Sequence, residues 1–150
     1  MRNELDKRAA VIGLGAMGGA MASTLHSAGW QVTGFDPSEA ARKNAEEIGI
    51  KTVSALEGIS STPFAVLSLP SAKVVELTVP ELLKGSETIS IVDTTTSEPD
   101  VSTKMAALAE QQGASFVDAP VSGGRDGAAN GTLSAFIGAT ERALQSAEPI

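Results

Sequence analysis

Gly13-Leu14-Gly15-Ala16-Met17-Gly18 constrains this chain more than any other stretch. It directly follows the apolar run Ala9-Ala10-Val11-Ile12 and leads into a helix-like segment. Strand, tight glycine turn and helix form the arrangement that receives a dinucleotide pyrophosphate. Each glycine has a separate task. Gly13 permits the sharp turn, Gly15 lets backbone approach the phosphates without a Cβ, and Gly18 lets the helix lie close to the strand. The helix N-terminus then offers unpaired N–H groups and a positive dipole end to the anion.

A glycine string alone is weak evidence, so its surroundings decide. The helix continues through Ala20-Met21-Ala22-Ser23-Thr24-Leu25, and Gly29 fits its C-terminal stop. A second strand, residues 30–35, then ends at Asp36. An acid at this distance beyond the glycines accepts hydrogen bonds from the adenosine ribose hydroxyls. It also repels a 2′-phosphate, and the residues that follow, Pro37 and Ser38, supply no arginine. Arg42 lies a turn or more into the next helix. The expectation is NAD in preference to NADP.

Composition narrows the class. A chain of 150 residues with 42% hydrophobic and 19% charged residues predicts one domain with a real core. A net charge of −7 argues against a nucleic-acid surface, and no apolar run has membrane-spanning length. No signal peptide is evident, which points to a cytoplasmic location. The lack of Cys excludes disulfides, thiolate metal sites and a thiol nucleophile. With His26 the only imidazole, there is no His-based triad or multi-His metal site, and the lack of Tyr excludes Tyr-Lys redox chemistry. His26 sits near the end of the first helix, where a cation suits the dipole.

The remaining pattern keeps alternating. Ser38 caps a helix through about Glu47, with Gly49 as its stop, and a strand covers residues 50–53. A short helix covers 54–59, an apolar strand 64–69 closes at Pro70, and a helical stretch surrounds 73–77. Residues 88–93 form the next strand. A helix starting at Asp100 or Ser102 carries Val101, Met105, Leu108 and Ala109 on one face and ends at Gly113. Strands follow at 115–118 and 133–137, then a helix from Thr140. Residues 1–7 read as a polar tail, residues 8–150 as the dinucleotide-binding domain, and 123–131 as the segment nearest to a linker. The fold class is α/β: a Rossmann-type doubly wound, mainly parallel sheet with helices on both faces. Ligands in such folds lie beyond the C-terminal ends of the strands, so the residues just after each strand matter most.

One such stretch is Asp118-Ala119-Pro120-Val121-Ser122-Gly123-Gly124. The Ser122 hydroxyl and the N–H groups of Gly123 and Gly124 can together hold a carboxylate or hydroxyl oxygen, although Ser-Gly-Gly is also a common surface turn.

These motifs, with Met21 and Gly131-Thr132-Leu133-Ser134, make residues 8–150 resemble the N-terminal half of the β-hydroxyacid dehydrogenase family. That family includes 3-hydroxyisobutyrate dehydrogenase, tartronate semialdehyde reductase, L-threonate dehydrogenase and, more distantly, 6-phosphogluconate dehydrogenase. The resemblance implies that Gly13, Leu14, Gly15, Ala16, Met17 and Gly18 bind pyrophosphate and that Asp36 binds the adenosine ribose. It puts Leu69 and Pro70 beside the cofactor. Thr95 and Thr96 fall in the hydroxyl-rich turn near the nicotinamide, with Thr96 the foremost candidate. Ser122, Gly123 and Gly124 match the loop that holds the substrate carboxylate. Arg125 could assist an anionic substrate, or stand solvated at the surface.

One departure limits the reading. Family members run to roughly twice this length, and their catalytic Lys, with a nearby Asn, lies beyond the dinucleotide domain. The last Lys here is Lys104, in an earlier helix. Removing a hydroxyl proton during hydride transfer needs a positioned acid or base. The expectation is therefore a cofactor domain of a homo-oligomeric parent enzyme, incomplete at its C-terminal end and inactive alone. Its substrate would be a small anionic hydroxy acid, and it would hold no metal and no catalytic residue of its own. An NAD-sensing interaction module and an imine-reductase half remain alternatives, although a carboxylate-binding loop at residues 122–124 fits the latter less well.

Overall fold

The computed structural model describes residues 7–59, 62–85 and 89–150. Six strands build one parallel sheet: β1 (Arg8–Ile12), β2 (Gln31–Phe35), β3 (Lys51–Val53), β4 (Phe64–Leu67), β5 (Ser90–Asp93) and β6 (Ser115–Asp118). Their spatial order is β3-β2-β1-β4-β5-β6. The chain therefore steps outward from β1 in one direction and returns to build β4, β5 and β6 in the other. The reversal lies between β1 and β4, and the crevice at the C-terminal ends of those two strands is where this architecture receives ligands.

The helices are α1 (Ala16–Ser27), α2 (Glu39–Glu47), α3 (Ala72–Lys84), α4 (Pro99–Gln111), α5 (Gly124–Asn130) and α6 (Glu141–Ala147). Alternate strand residues point to opposite faces. Ala10, Ile12, Ala65, Leu67, Ile91 and Phe116 pack with Val75, Val79 and Leu82 of α3 and Met105 and Ala109 of α4. Ala9, Val11, Val32 and Val66 pack with Met21 and Ala22 of α1 and Ala45 of α2. Trp30 and Phe64 close that layer edge to face, with ring centroids 5.6 Å apart. Val117 and Ala119 pack against Ala143 and Ala147 of α6. Ser38, Ser71 and Thr140 start α2, α3 and α6, each accepting a hydrogen bond from a backbone N–H three residues on.

Several sequence expectations need correction. Residues 123–131 are no linker. They include α5, which docks on α1 through the Thr24 hydroxyl, a donor to the Ala128 carbonyl at 2.7 Å. The strand expected at 133–137 shrinks to β8 (Ser134–Ala135), which pairs antiparallel with β7 (Val121–Ser122) outside the main sheet. Phe136 and Ile137 are exposed, so their apolar character marked no buried strand. The helix expected around 73–77 runs from Ala72 to Lys84, straight through Pro80. Its burial of Val75, Val79, Leu82 and Leu83 outweighs one missing backbone donor. The short helix at 54–59 is a single 3-10 turn, Leu56–Ile59. The helix expected from Asp100 or Ser102 begins at Pro99, in the first-turn position that suits proline. The start of the strand expected at 88–93 and residues 1–6 of the expected tail lie outside the described residues.

Candidate functional site: the C-terminal edge of the parallel sheet

The glycine turn is fitted on both sides. A Cβ on Gly13 would stand 2.1 Å from the Ser68 carbonyl oxygen, and one on Gly18 would stand 1.8 Å from that of Gly13. Both glycines are demanded by the packing of β1, α1 and the end of β4. Gly15 differs. Its φ of −66° suits any residue, and a Cβ there would meet nothing within 4 Å. Nothing inside the protein requires Gly15 to lack a side chain. The open space in front of it is what a closely approaching ligand would use.

Gly15 is also the N-cap of α1, with no capping side chain and no acid in the first turn. The first backbone N–H groups of α1 have no intrahelical acceptor and point toward that space. Their polarity suits an anion.

Asp36 closes the adenosine side. Its Oδ2 accepts the Leu14 N–H at 2.8 Å and its Oδ1 accepts the Ser38 N–H at 2.8 Å. The acid is thus tied to the glycine turn it follows by 22 residues. Each carboxylate oxygen keeps a second lone pair, enough to accept a ribose hydroxyl. Arg42 is engaged with backbone carbonyls. Its Nη1 donates to the carbonyls of Asp36 at 2.7 Å and Pro37 at 3.2 Å, which fixes the turn into α2.

On the other side of the switch point, the turn after β4 is bound to the turn after β5. The Leu69 N–H donates to Thr95 Oγ1 at 3.0 Å, and the Thr94 hydroxyl donates to the Leu67 carbonyl at 2.6 Å. Thr95 is buried, so its hydroxyl positions Leu69, whereas Thr96 and Pro70 are exposed at the edge. Gly123 at φ +134° and Gly124 at φ +64° turn the chain from β7 into α5 and leave Ser122 exposed. L side chains rarely adopt either conformation.

Beneath these turns lie two acids from the strand ends, whose adjacency the sequence does not show. Asp93 and Asp118 end β5 and β6 side by side. Burial raises the Asp93 pKa from 3.8 to about 6, against the opposing pull of the Thr95 hydroxyl and N–H, and Asp118 adds a further upward push. Burial likewise raises the pKa of Asp118, with the Ser102 hydroxyl pulling the other way. Asp93 Oδ2, Asp118 Oδ1, Ser97 Oγ and Ser102 Oγ are all buried without a hydrogen bond in good geometry. Both acids stand in the motif strings, but their adjacency comes only from strand pairing. Among the described residues, no group of three or more His, Cys, Asp or Glu could hold a metal ion. No helix there is long and apolar enough to cross a membrane.

Residues 8–150 match the family model of the NAD binding domain of 6-phosphogluconate dehydrogenase. The chain belongs to the β-hydroxyacid dehydrogenase family. As an NAD-binding domain of that family, it is similar to the NAD-dependent L-serine dehydrogenase of Pseudomonas aeruginosa, at 34% identity over 149 residues, 96% of this chain and 50% of that protein. Its fold matches the Mycobacterium tuberculosis 3-hydroxyisobutyrate dehydrogenase solved with L-serine, with a TM-score of 0.88 and 33% identity, covering 95% of this chain and 50% of that one. It also matches Psf3 solved with NADP+ and 2-OPP, with a TM-score of 0.86 and 25% identity over 94% of this chain and 52% of the other. The chain spans about half the length of the curated relatives it matches.

Proposed function

We propose that this β-hydroxyacid dehydrogenase domain holds NAD, in preference to NADP, for hydride transfer to and from a small 3-hydroxy acid or its semialdehyde. The observation that carries the cofactor assignment is Gly15, a glycine that neither packing nor φ requires, placed before the bare N-terminus of α1. In this reading Gly13, Leu14, Gly15, Ala16, Met17 and Gly18 cradle the pyrophosphate, and Asp36 takes the ribose hydroxyls. The preference for NAD rests on the Asp36 charge, which a 2′-phosphate would meet directly, and on Arg42 being engaged with carbonyls.

Leu69, Pro70, Thr95 and Thr96 then border the nicotinamide end, with Thr96 exposed toward it. The exposed Ser122 hydroxyl and the backbone of Gly123 and Gly124 hold the carboxylate of the substrate. Bound NAD supplies the hydride acceptor. The hydroxyl proton still needs a base, and Asp93 cannot serve because it is 0% exposed. The family's lysine is therefore expected elsewhere in the parent enzyme, which we take to be a cytoplasmic homo-oligomer with no nucleic-acid or membrane partner.

Calorimetry with NAD and NADP tests the cofactor half of this reading. Tighter binding of NAD supports it, and binding of neither overturns it. Steady-state NAD reduction over a panel of 3-hydroxy acids tests the rest: this chain alone should show no efficient turnover, and turnover typical of a complete dehydrogenase would refute the claim.

A further inference from the structure

Beside the glycine turn, α1, α2 and α5 enclose a cleft of about 540 Å³. Gly15 and Ala16 line one part of it, Asn44 of α2 and Ile48 at its end another, and Arg125 of α5 a third. Arg125 is the charged residue among its lining residues. The side chain is exposed and makes no hydrogen bond or ion pair among the described residues.

The position is built rather than incidental. The Thr24 hydroxyl holds the Ala128 carbonyl, so α5 is fastened to the C-terminal half of α1. Arg125 lies in the first turn of α5, three residues before that anchor, and lines the same cleft as Gly15 and Ala16 at the start of α1. There it joins a helix whose own first turn carries no acid and whose N-cap has no capping side chain, with the Asp36 carboxylate held on the preceding Leu14 N–H.

We propose that Arg125 is a pyrophosphate-binding residue, reaching from α5 across Gly15 and Ala16 to clamp the diphosphate of the dinucleotide against the N-terminus of α1. This rests on the cofactor reading above. The planar guanidinium fork matches a phosphate with two parallel hydrogen bonds, which an ammonium cannot reproduce. A local cation also matters because the chain as a whole carries a charge of −7 and would otherwise disfavour an incoming diphosphate. Arg125 directly follows Gly124, so a diphosphate held by Arg125 would also steady the end of the loop at residues 122–124.

The test is calorimetric titration of this chain with NAD, comparing wild type, Arg125→Met and Arg125→Lys over a range of salt concentrations. Arg125→Met should weaken binding by about tenfold and flatten its salt dependence, as loss of a charge-assisted bidentate contact implies. Arg125→Lys should recover only part of the loss. The melting temperature should stay unchanged, because the side chain is exposed and makes no hydrogen bond or ion pair among the described residues. A wild-type chain that binds NAD, with Arg125→Met within twofold of it, overturns the role of Arg125 alone. A wild-type chain that binds neither NAD nor NADP overturns the cofactor reading as well.

Discussion

Asp93 and Asp118 end neighbouring parallel strands in register, so their carboxyl groups lie on the same face of the sheet. That face is the one packed by α3 and α4, since Ile91 and Phe116 share it. Asp93 is fully buried, and its Oδ1 accepts the Thr95 N–H at 3.0 Å. Through Thr95 the pair supports Leu69, and through β6 it leads into the loop at residues 122–124. Two acids whose pKa values burial raises thus stand under the C-terminal edge of the sheet.

The first prediction concerns pH. The folded-state pKa of Asp93, about 6, lies above the ordinary 3.8. The folded chain therefore binds this proton more tightly than the unfolded chain. The associated stability is fully present below about pH 4 and is lost as pH rises through 6, a change on the order of 3 kcal/mol. Asp93→Asn keeps an acceptor for Thr95 and offers an amide donor to the Asp118 side. It should unfold at higher denaturant than wild type at pH 8 and show a weaker pH dependence between 4 and 7, the remainder coming from Asp118. Denaturant titrations at several pH values check this, and parallel profiles for the two proteins would contradict it.

A second prediction separates two glycines of one turn. Gly18→Ala drives a Cβ into the Gly13 carbonyl and should cost several kcal/mol or prevent folding. Gly15→Ala meets nothing and should cost less than about 1 kcal/mol, the N-cap preference alone. The same Gly15→Ala variant should nonetheless bind NAD at least tenfold more weakly, because its methyl occupies the ligand's space. Thermal melts and calorimetry on the pair decide the matter; unaltered NAD affinity in Gly15→Ala would remove the main support for the cofactor site.

Asp36→Ala should lose both stability and affinity. Two backbone N–H groups, of Leu14 and Ser38, lose their charged acceptor, at a cost of about 2 kcal/mol. NAD should bind at least tenfold more weakly, while NADP, relieved of the charge, should lose less. The ratio of the two dissociation constants is the measurement, and an unchanged ratio would show that Asp36 does not discriminate between them.

Thr24→Val tests how α5 is fastened. It removes the hydroxyl that donates to the Ala128 carbonyl while keeping the side-chain shape. A loss of about 1 kcal/mol is expected, with faster amide exchange in residues 124–130. Exchange faster everywhere but in α5 would count against this anchoring.

Much of the site was legible because its signals are local. The glycine turn and Asp36 depend on residue type and short spacing: the turn joins β1 to α1 and Asp36 directly follows β2, whereas the strand expected at 64–69 already ends at Leu67. The misses share a cause. Pro80 reads as a helix stop, yet α3 passes through it because burial of Val79, Leu82 and Leu83 stabilises the turns beyond. Residues 123–131 read as the segment nearest to a linker because their four Gly and one Asn disfavour regular elements. They form α5 because their small side chains let them lie close on α1 and Leu133, where a Cβ on Gly127 would stand 3.1 Å from Leu133 Cδ2.

By itself the sequence determined the alternation of strands and helices, the anion-ready turn at residues 13–18 and the acid paired with it. Those follow from backbone preference and periodicity, which act over a few residues. Only the tertiary structure decided that Asp93 stands beside Asp118, that Arg42 is held on carbonyls, and that Arg125 reaches the cleft beside Gly15. Each joins elements brought together by strand order or helix packing, and burial then raised the pKa of both acids. Such long-range neighbours leave no periodic mark in a single chain.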